Sequence, residues 1–198
     1  MSRRYIGVEG VEGAGKSTVV QRVASQLEAD GHEVVLVREP GGTPVGEEIR
    51  RLLLHSVALS DWTEAALFAA ARAELVRQIV APALARGAWV LSDRTYYSSL
   101  AYQGGARGLG ISEVRELNER VLGGTVPDLV IVLDVDPEVG FARETDRDRI
   151  GSEGVVFQRR VADSYQRISV DDPKVHLVDG TQDPDAVAAV ILRLLDRP

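Results

Sequence analysis

Residues 10–18 read GVEGAGKST, and no other stretch constrains this chain as strongly. The spacing is G-x-x-x-x-G-K-[ST], with Gly10, Gly15, Lys16, Ser17 and Thr18 at the defining positions. A phosphate chain needs several backbone N–H donors turned inward, and glycine lets the backbone come close. The pattern makes Gly10, Val11, Glu12, Gly13, Ala14, Gly15, Lys16, Ser17 and Thr18 a phosphate-cradling loop. Lys16 adds a charge for the β/γ-phosphates, and the Ser17 hydroxyl is placed to ligand Mg²⁺. The helix that follows turns its positive N-terminus to the same anion. The flanks agree with this. Tyr5-Ile6-Gly7-Val8 is an apolar run fit for a buried strand, and Val19, Val20, Val23 and Leu27 recur at helical spacing.

The rest of the chain alternates in the same way. Val34–Val37 reads as a second buried strand, running into the Pro- and Gly-rich loop 38–44. A helix follows with Val45, Ile49, Leu52 and Leu53 inward. Residues 63–86 read as a long helix with a kink at Pro82. Ala88–Leu91 is a third strand ending in Ser92-Asp93-Arg94, and Gly104-Gly105 and Gly108–Gly110 bracket a loop. Ile111–Leu122 is helical, and Leu129–Leu133 is a fourth strand ending in Asp134-Val135-Asp136. Two charged helical segments cover about 138–168, and Val175–Val178 is a fifth strand. Asp183-Pro184 opens a last helix with Val187, Ile191 and Leu194 inward. Short apolar strands separated by helices predict a parallel α/β sheet covered on both faces. Ligands then sit beyond the C-terminal strand ends, where the glycine loop, Arg38-Glu39, Asp93-Arg94 and residues 134–136 should converge.

Composition narrows the class. The 198 residues are 44% hydrophobic, enough for one core and one domain over 1–198. No apolar run reaches the roughly 18 residues of a membrane span, and no leader is visible, so no membrane association is expected. Cysteine is absent, which removes disulfides, thiolate metal sites and cysteine nucleophiles. These features point to the cytoplasm. The net charge of −7 argues against bulk nucleic-acid binding. An acidic protein that binds a polyanion must gather its arginines locally.

The glycine loop alone fits a GTPase, a motor, a transporter ATPase or a kinase. The guanine-reading N-K-x-D motif of a GTPase is absent. A kinase acting on a phosphorylated small molecule needs a second anion site, and Arg38, Arg50, Arg72 and Arg94 all fall at or near the expected active edge. Asp93 ends a strand, where an acid can hold Mg²⁺ through water. Arg94 beside it can grip a phosphate with a bidentate fork. Phe68 and Arg72, four residues apart, share a helix face, where a ring and a guanidinium can serve one base. Spacing alone favours a core Phe beside a solvated Arg.

Five segments then decide among these. EGVEGAGKST (9–18), REPGGTPVGEEIR (38–50), TEAALFAAARAEL (63–75), DRTYYSSLAYQGGARGLG (93–110) and DVDPEVGFARETDRDR (134–149) together resemble the thymidylate kinases. These transfer the ATP γ-phosphoryl group to deoxythymidine monophosphate (dTMP), giving dTDP. The resemblance implies a nucleoside monophosphate kinase-like fold, ATP and Mg²⁺, direct in-line transfer and a homodimer. It implies that Phe68 stacks on thymine, that Arg72 donates to its O4, and that Ser99 and Gln103 meet the other base edge. Tyr102 would pack where a ribose 2′-hydroxyl would go, and Pro40 near the thymine methyl. Arg38, Arg50 and Arg94 would hold the acceptor phosphate. Glu12 would act on the acceptor side near the sugar, and Glu9 would assist through Mg²⁺ or water. Residues 143–152 match a lid over ATP in which Arg143, Arg147 or Arg149 supplies the catalytic cation. Thr95 departs from the pattern, which has an aromatic residue or His there.

Overall fold

Among the described residues (4–55, 58–144 and 148–195 of this computed structural model), five strands form one parallel sheet. They are β1 (Tyr5–Glu9), β2 (Val34–Arg38), β3 (Trp89–Asp93), β4 (Leu129–Asp134) and β5 (Val175–Asp179), in the order β2-β3-β1-β4-β5. All of β1 is buried, as is β4 up to Leu133, so helices cover both faces of the sheet centre. The register sets Val8 beside Asp93, Arg38 beside Asp93, and Glu9 beside Val132. The predicted convergence of the C-terminal strand ends therefore holds.

The predicted second strand is not buried. β2 is an edge strand with Leu36 39% exposed, because the strand order leaves it with one neighbour. The helices are α1 (Lys16–Ala29), α2 (Pro44–His55), α3 (Asp61–Leu75), α4 (Ala81–Ala85), α5 (Tyr96–Ser99), α6 (Ile111–Leu122), α7 (Pro137–Arg143), α8 (Val155–Asp171) and α9 (Pro184–Leu195). In α2 the buried side runs through Gly46, Leu53 and Leu54, with Ile49 partly covered. Val45 and Leu52, expected inward, are 51% and 40% exposed. They precede Gly46 and Leu53 by one residue, about 100° around the helix.

The long helix begins at Asp61, capped by the Ser60 hydroxyl, which accepts from the Thr63 N–H. Its irregularity lies before the proline, as a π turn over Val76–Val80. Pro82 has no N–H for the Gln78 carbonyl, and its ring crowds that carbonyl, so the turn around Gln78 widens. Gly104 and Gly105 do not sit in a loop. They lie in a second π turn, Leu100–Ala106, that continues α5. A Cβ on Gly105 would meet Ser164 Oγ at 2.0 Å, so the absent side chain is what lets α8 pack here. α9 follows expectation, with Asp183 accepting from the Asp185 N–H and with Val187, Ile191 and Leu194 buried. No described helix is long and apolar enough to cross a membrane.

Candidate active site

The loop between β1 and α1 ends at Gly15 in a left-handed conformation. Lys16 is 7% exposed, and its ammonium donates back to the carbonyls of Val11 (2.8 Å) and Gly10 (3.3 Å). Burial, and then Arg94, lower its pKa to about 8. Gly13, at φ +68, lies so close to α7 that a Cβ there would stand 2.0 Å from the Gly140 carbonyl oxygen. A Cβ on Gly140 would in turn stand 2.3 Å from the Glu12 carbonyl oxygen. Two backbones touch, which ties the phosphate loop to the helix that ends in Arg143. Gly140→Ala should therefore cost about 1–3 kcal/mol through overpacking. An unchanged thermal midpoint in that variant would mean that the two segments part freely.

Lys16, Ser17, Thr18, Glu12, Gly13 and Gly15 line one cleft of about 460 Å³. Arg38, Pro40, Arg50, Phe68, Arg72, Asp93, Arg94, Ser99, Tyr102, Gln103 and Arg143 line it as well. The reading of Phe68 and Arg72 as one face is realised, and Arg72 is 2% exposed rather than solvated. Gly10, Val11 and Ala14 complete the loop from behind and are buried. Residues 134–136 share the edge but stay out of the cleft, and Asp136 caps α7 by accepting from the Glu138 N–H. Arg147 lies outside the described residues.

Arg94 is the hub. It has φ +72, an uncommon conformation for a residue with a side chain. One guanidinium nitrogen donates to the Gly10 carbonyl (3.2 Å) and Ser98 Oγ (3.2 Å), and the other to Glu12 (2.7 Å) and the Tyr102 hydroxyl (3.4 Å). Burial opposes charge on Glu12, but Arg94 and Lys16 hold its carboxyl below the ordinary range. Arg50 donates to the Pro40 carbonyl (2.8 Å), and Arg38 faces Glu47 at 3.6 Å. Five described arginines thus border one cleft. Glu12, Glu39, Asp93, Glu144 and Asp148 line it too, so the cleft gathers cations that the acidic chain as a whole lacks without being strongly positive.

Ser17 donates to Asp93 at 2.5 Å across the end of the cleft. Two hard oxygen donors side by side fit Mg²⁺. No described cluster of three or more His, Cys, Asp or Glu could hold a metal unaided, so phosphate oxygens and water would complete its shell. Glu9, expected to assist there, is engaged with other partners in this structure. Its buried carboxylate accepts from the Thr95 N–H (2.6 Å), Thr95 Oγ1 (2.8 Å), Ser98 Oγ (2.5 Å) and the Tyr165 hydroxyl (2.7 Å). Its role is to hold α5 against β1. Thr95 is part of that joint, since a Cβ on Gly7 would lie 2.5 Å from its methyl group. An aromatic ring in this buried position would need other neighbours, which is the physical sense of the departure at Thr95.

Arg149 also stands elsewhere. It donates to the Leu53 carbonyl (2.8 Å) and to Glu64 (2.7 Å). Three supporting residues were given no role from the sequence, although Glu39 was expected at this edge. Glu39 lines the cleft and accepts from Arg72 Nε at 2.5 Å, while its other oxygen is buried without a partner. Burial drives its pKa up to about 7 despite Arg72. Asn118 on α6 accepts from Arg72, and Gln158 on α8 accepts from the Glu12 N–H (3.3 Å) and the Tyr102 hydroxyl (3.4 Å). Glu39 had a signal in its place between Arg38 and Pro40. Asn118 and Gln158 had none, because each faces the site only through tertiary packing.

The comparisons agree with this geometry. The family model described as thymidylate kinase matches residues 8–191. A thymidylate kinase of Staphylococcus haemolyticus is 44% identical over 188 residues, covering 92% of each chain. One of Finegoldia magna is 40% identical over 198 residues, covering 98% of each. With a phosphate loop facing a buried arginine and aromatic pocket, and with relatives matched almost end to end, this chain belongs to the thymidylate kinase family.

Proposed function

We propose that this protein transfers the γ-phosphoryl group of ATP to dTMP, yielding dTDP and ADP. The observation that carries the reading is that Lys16, Arg94, Phe68 and Arg72 all line one cleft. ATP lies on residues 10–18, and dTMP lies with its base on Phe68 and its phosphate toward Arg38, Arg50 and Arg94. An oxygen of the acceptor phosphate attacks the γ-phosphorus in line. The new P–O bond forms as the bond to the β–γ bridging oxygen breaks, and that electron pair leaves with ADP. The acceptor oxygen is already anionic at neutral pH, so no general base is needed. Catalysis is positioning plus neutralisation of the equatorial oxygens by Lys16, Arg94 and a lid cation. Of the two lid arginines among the described residues, Arg143 is the cation we assign, because it borders the cleft while Arg149 is held by Glu64. Ser17 and Asp93 would hold Mg²⁺, which when bound neutralises phosphate charge. Glu12 steadies Arg94, and Tyr102 packs beside the sugar. The same reading makes 1–198 one catalytic domain with a lid at about 143–152, acting as a homodimer in the cytoplasm on small nucleotides.

The test is a product assay with ATP·Mg²⁺ and each of the thymidine, deoxyuridine, deoxycytidine, deoxyguanosine and deoxyadenosine monophosphates. The expected result is diphosphate formed with strong preference for dTMP. Diphosphate from a different acceptor would keep the kinase and discard the base pocket. Hydrolysis of ATP with no diphosphate from any acceptor would point instead to a nucleotide-dependent switch.

A further inference from the structure

Glu64 lies four residues before Phe68 and eight before Arg72, so α3 presents all three on one side. It is 1% exposed, and its carboxylate is filled on both oxygens. Oε1 accepts from Gln103 Nε2 (2.8 Å) and Arg107 Nε (3.1 Å). Oε2 accepts from Arg107 Nη2 (3.2 Å) and Arg149 Nη2 (2.7 Å). A carboxylate flanked by two guanidinium groups stays ionised, and an ionised carboxylate only accepts. The carboxamide group that Gln103 turns to it must therefore be the NH₂, whichever way the two atoms are first assigned. Gln103 lines the cleft, and its oxygen is not among the buried atoms left without a partner. With the NH₂ committed to Glu64, the amide oxygen is the polar atom that this cleft-lining side chain has left for a ligand.

We propose that Glu64 sets the acceptor-base selectivity of this site by holding Gln103 with its amide oxygen turned into the cleft. This rests on the reading above that a base lies on Phe68. An amide oxygen there accepts from a base that carries N3–H, as thymine and uracil do. Cytosine presents a lone pair at N3, and its amine replaces the O4 that Arg72 would meet. Glu64 is thus a positioning residue that acts through Gln103. It also holds Arg149, so the segment leading out of the lid is anchored on the same carboxylate.

The test compares kcat/KM for dTMP, dUMP and dCMP in the wild-type protein and in Glu64→Gln. A neutral amide at 64 can donate as well as accept, which frees Gln103 to reverse. The dTMP/dCMP ratio should fall at least about ten-fold in this variant, as expected when one polar discriminator is lost. The dTMP/dUMP ratio should stay within about two-fold, since both bases carry N3–H. Equal losses on all three substrates would reduce Glu64 to a structural anchor and overturn the proposal. If the wild-type protein phosphorylates none of the three, the functional reading itself falls. A second measurement needs no variant. In isotope-labelled wild-type protein, saturating dTMP should move the Gln103 side-chain carbonyl carbon resonance and leave its NH₂ protons nearly unmoved. The reverse pattern would show the amide the other way round and sink the proposal even if Glu64→Gln fails to fold.

Discussion

Lys16→Met is expected to lower turnover on the order of 10³-fold, as removal of a preorganised charge from a transferring group does, and yet to stabilise the ligand-free protein. The reason is that the ammonium is buried against two loop carbonyls, with no carboxylate bonded to it. Burial first, and Arg94 next, bring its pKa from 10.5 to about 8. For a base whose folded pKa is depressed, the unfolded chain binds more protons between these values. Stability therefore rises with pH across about 8 to 10.5, and below pH 8 the folded protein carries the full penalty. A shift of this size corresponds to about 3 kcal/mol. The two lost hydrogen bonds offset part of it, at about 1 kcal/mol each. The variant should thus unfold at a temperature a few degrees above the wild type at pH 7, and the gain should vanish near pH 10. A lower midpoint at pH 7, or a gain that does not shrink with pH, would show that Lys16 is not strained by its burial. Saturating ATP should reverse the order, because only the wild-type protein gains the phosphate contact.

Arg72→Ala should damage both base selectivity and the fold, and the second effect should depend on pH. The guanidinium donates to Glu39, Asn118, the Thr95 carbonyl (3.3 Å) and Ser99 Oγ (3.3 Å). Its loss leaves Glu39 buried with neither oxygen paired. Breaking a buried pair from one side costs about 3–5 kcal/mol when the remaining charge cannot be shed. Glu39 can shed it, since burial already brings its pKa up to about 7, and without Arg72 it rises further. A carboxyl with a raised folded pKa contributes stability that is present below its unfolded value and lost as pH rises through the folded one. The wild-type protein stops losing stability from this group above about pH 7, while the variant goes on losing it. Denaturant unfolding should therefore show a pH-independent loss from the cavity and the lost hydrogen bonds, and on top of it a difference that grows by about 3 kcal/mol between pH 6 and pH 9. Adding Glu39→Gln should restore stability at pH 9 without restoring the preference for dTMP over dCMP. A difference independent of pH would mean that Glu39 stays ionised in the variant.

Much of the site was legible in the residues because its parts are local. The phosphate loop needs only nine consecutive residues, since the requirement is for backbone that approaches closely and for one lysine and one hydroxyl beyond it. Phe68 and Arg72 could be paired because the helical period is short-ranged. Arg38, Asp93 and Arg94 could be placed at one edge because parallel strands end together. The misreadings arose where a local rule met a non-local fact. Val34–Val37 is apolar enough for an interior strand, but strand order made it an edge. Gly104 and Gly105 look like a turn, yet they serve the approach of α8 to a π turn.

What the sequence by itself determined, then, is the fold class, the phosphate loop, the family and most of the side chains that border the cleft. What only the tertiary structure decided is which charge faces which. The chain has 30 acidic and 23 basic residues, and any could pair with many others at little difference in local cost. Glu12 meets Arg94 across 82 residues, Glu39 meets Arg72 across 33, and Glu64 meets Arg149 across 85. The last of these pairs holds Arg149 on Glu64, while Arg143 lines the cleft. Coulomb attraction carries no register along the chain. Only packing, which settles who is buried beside whom, assigns the partners.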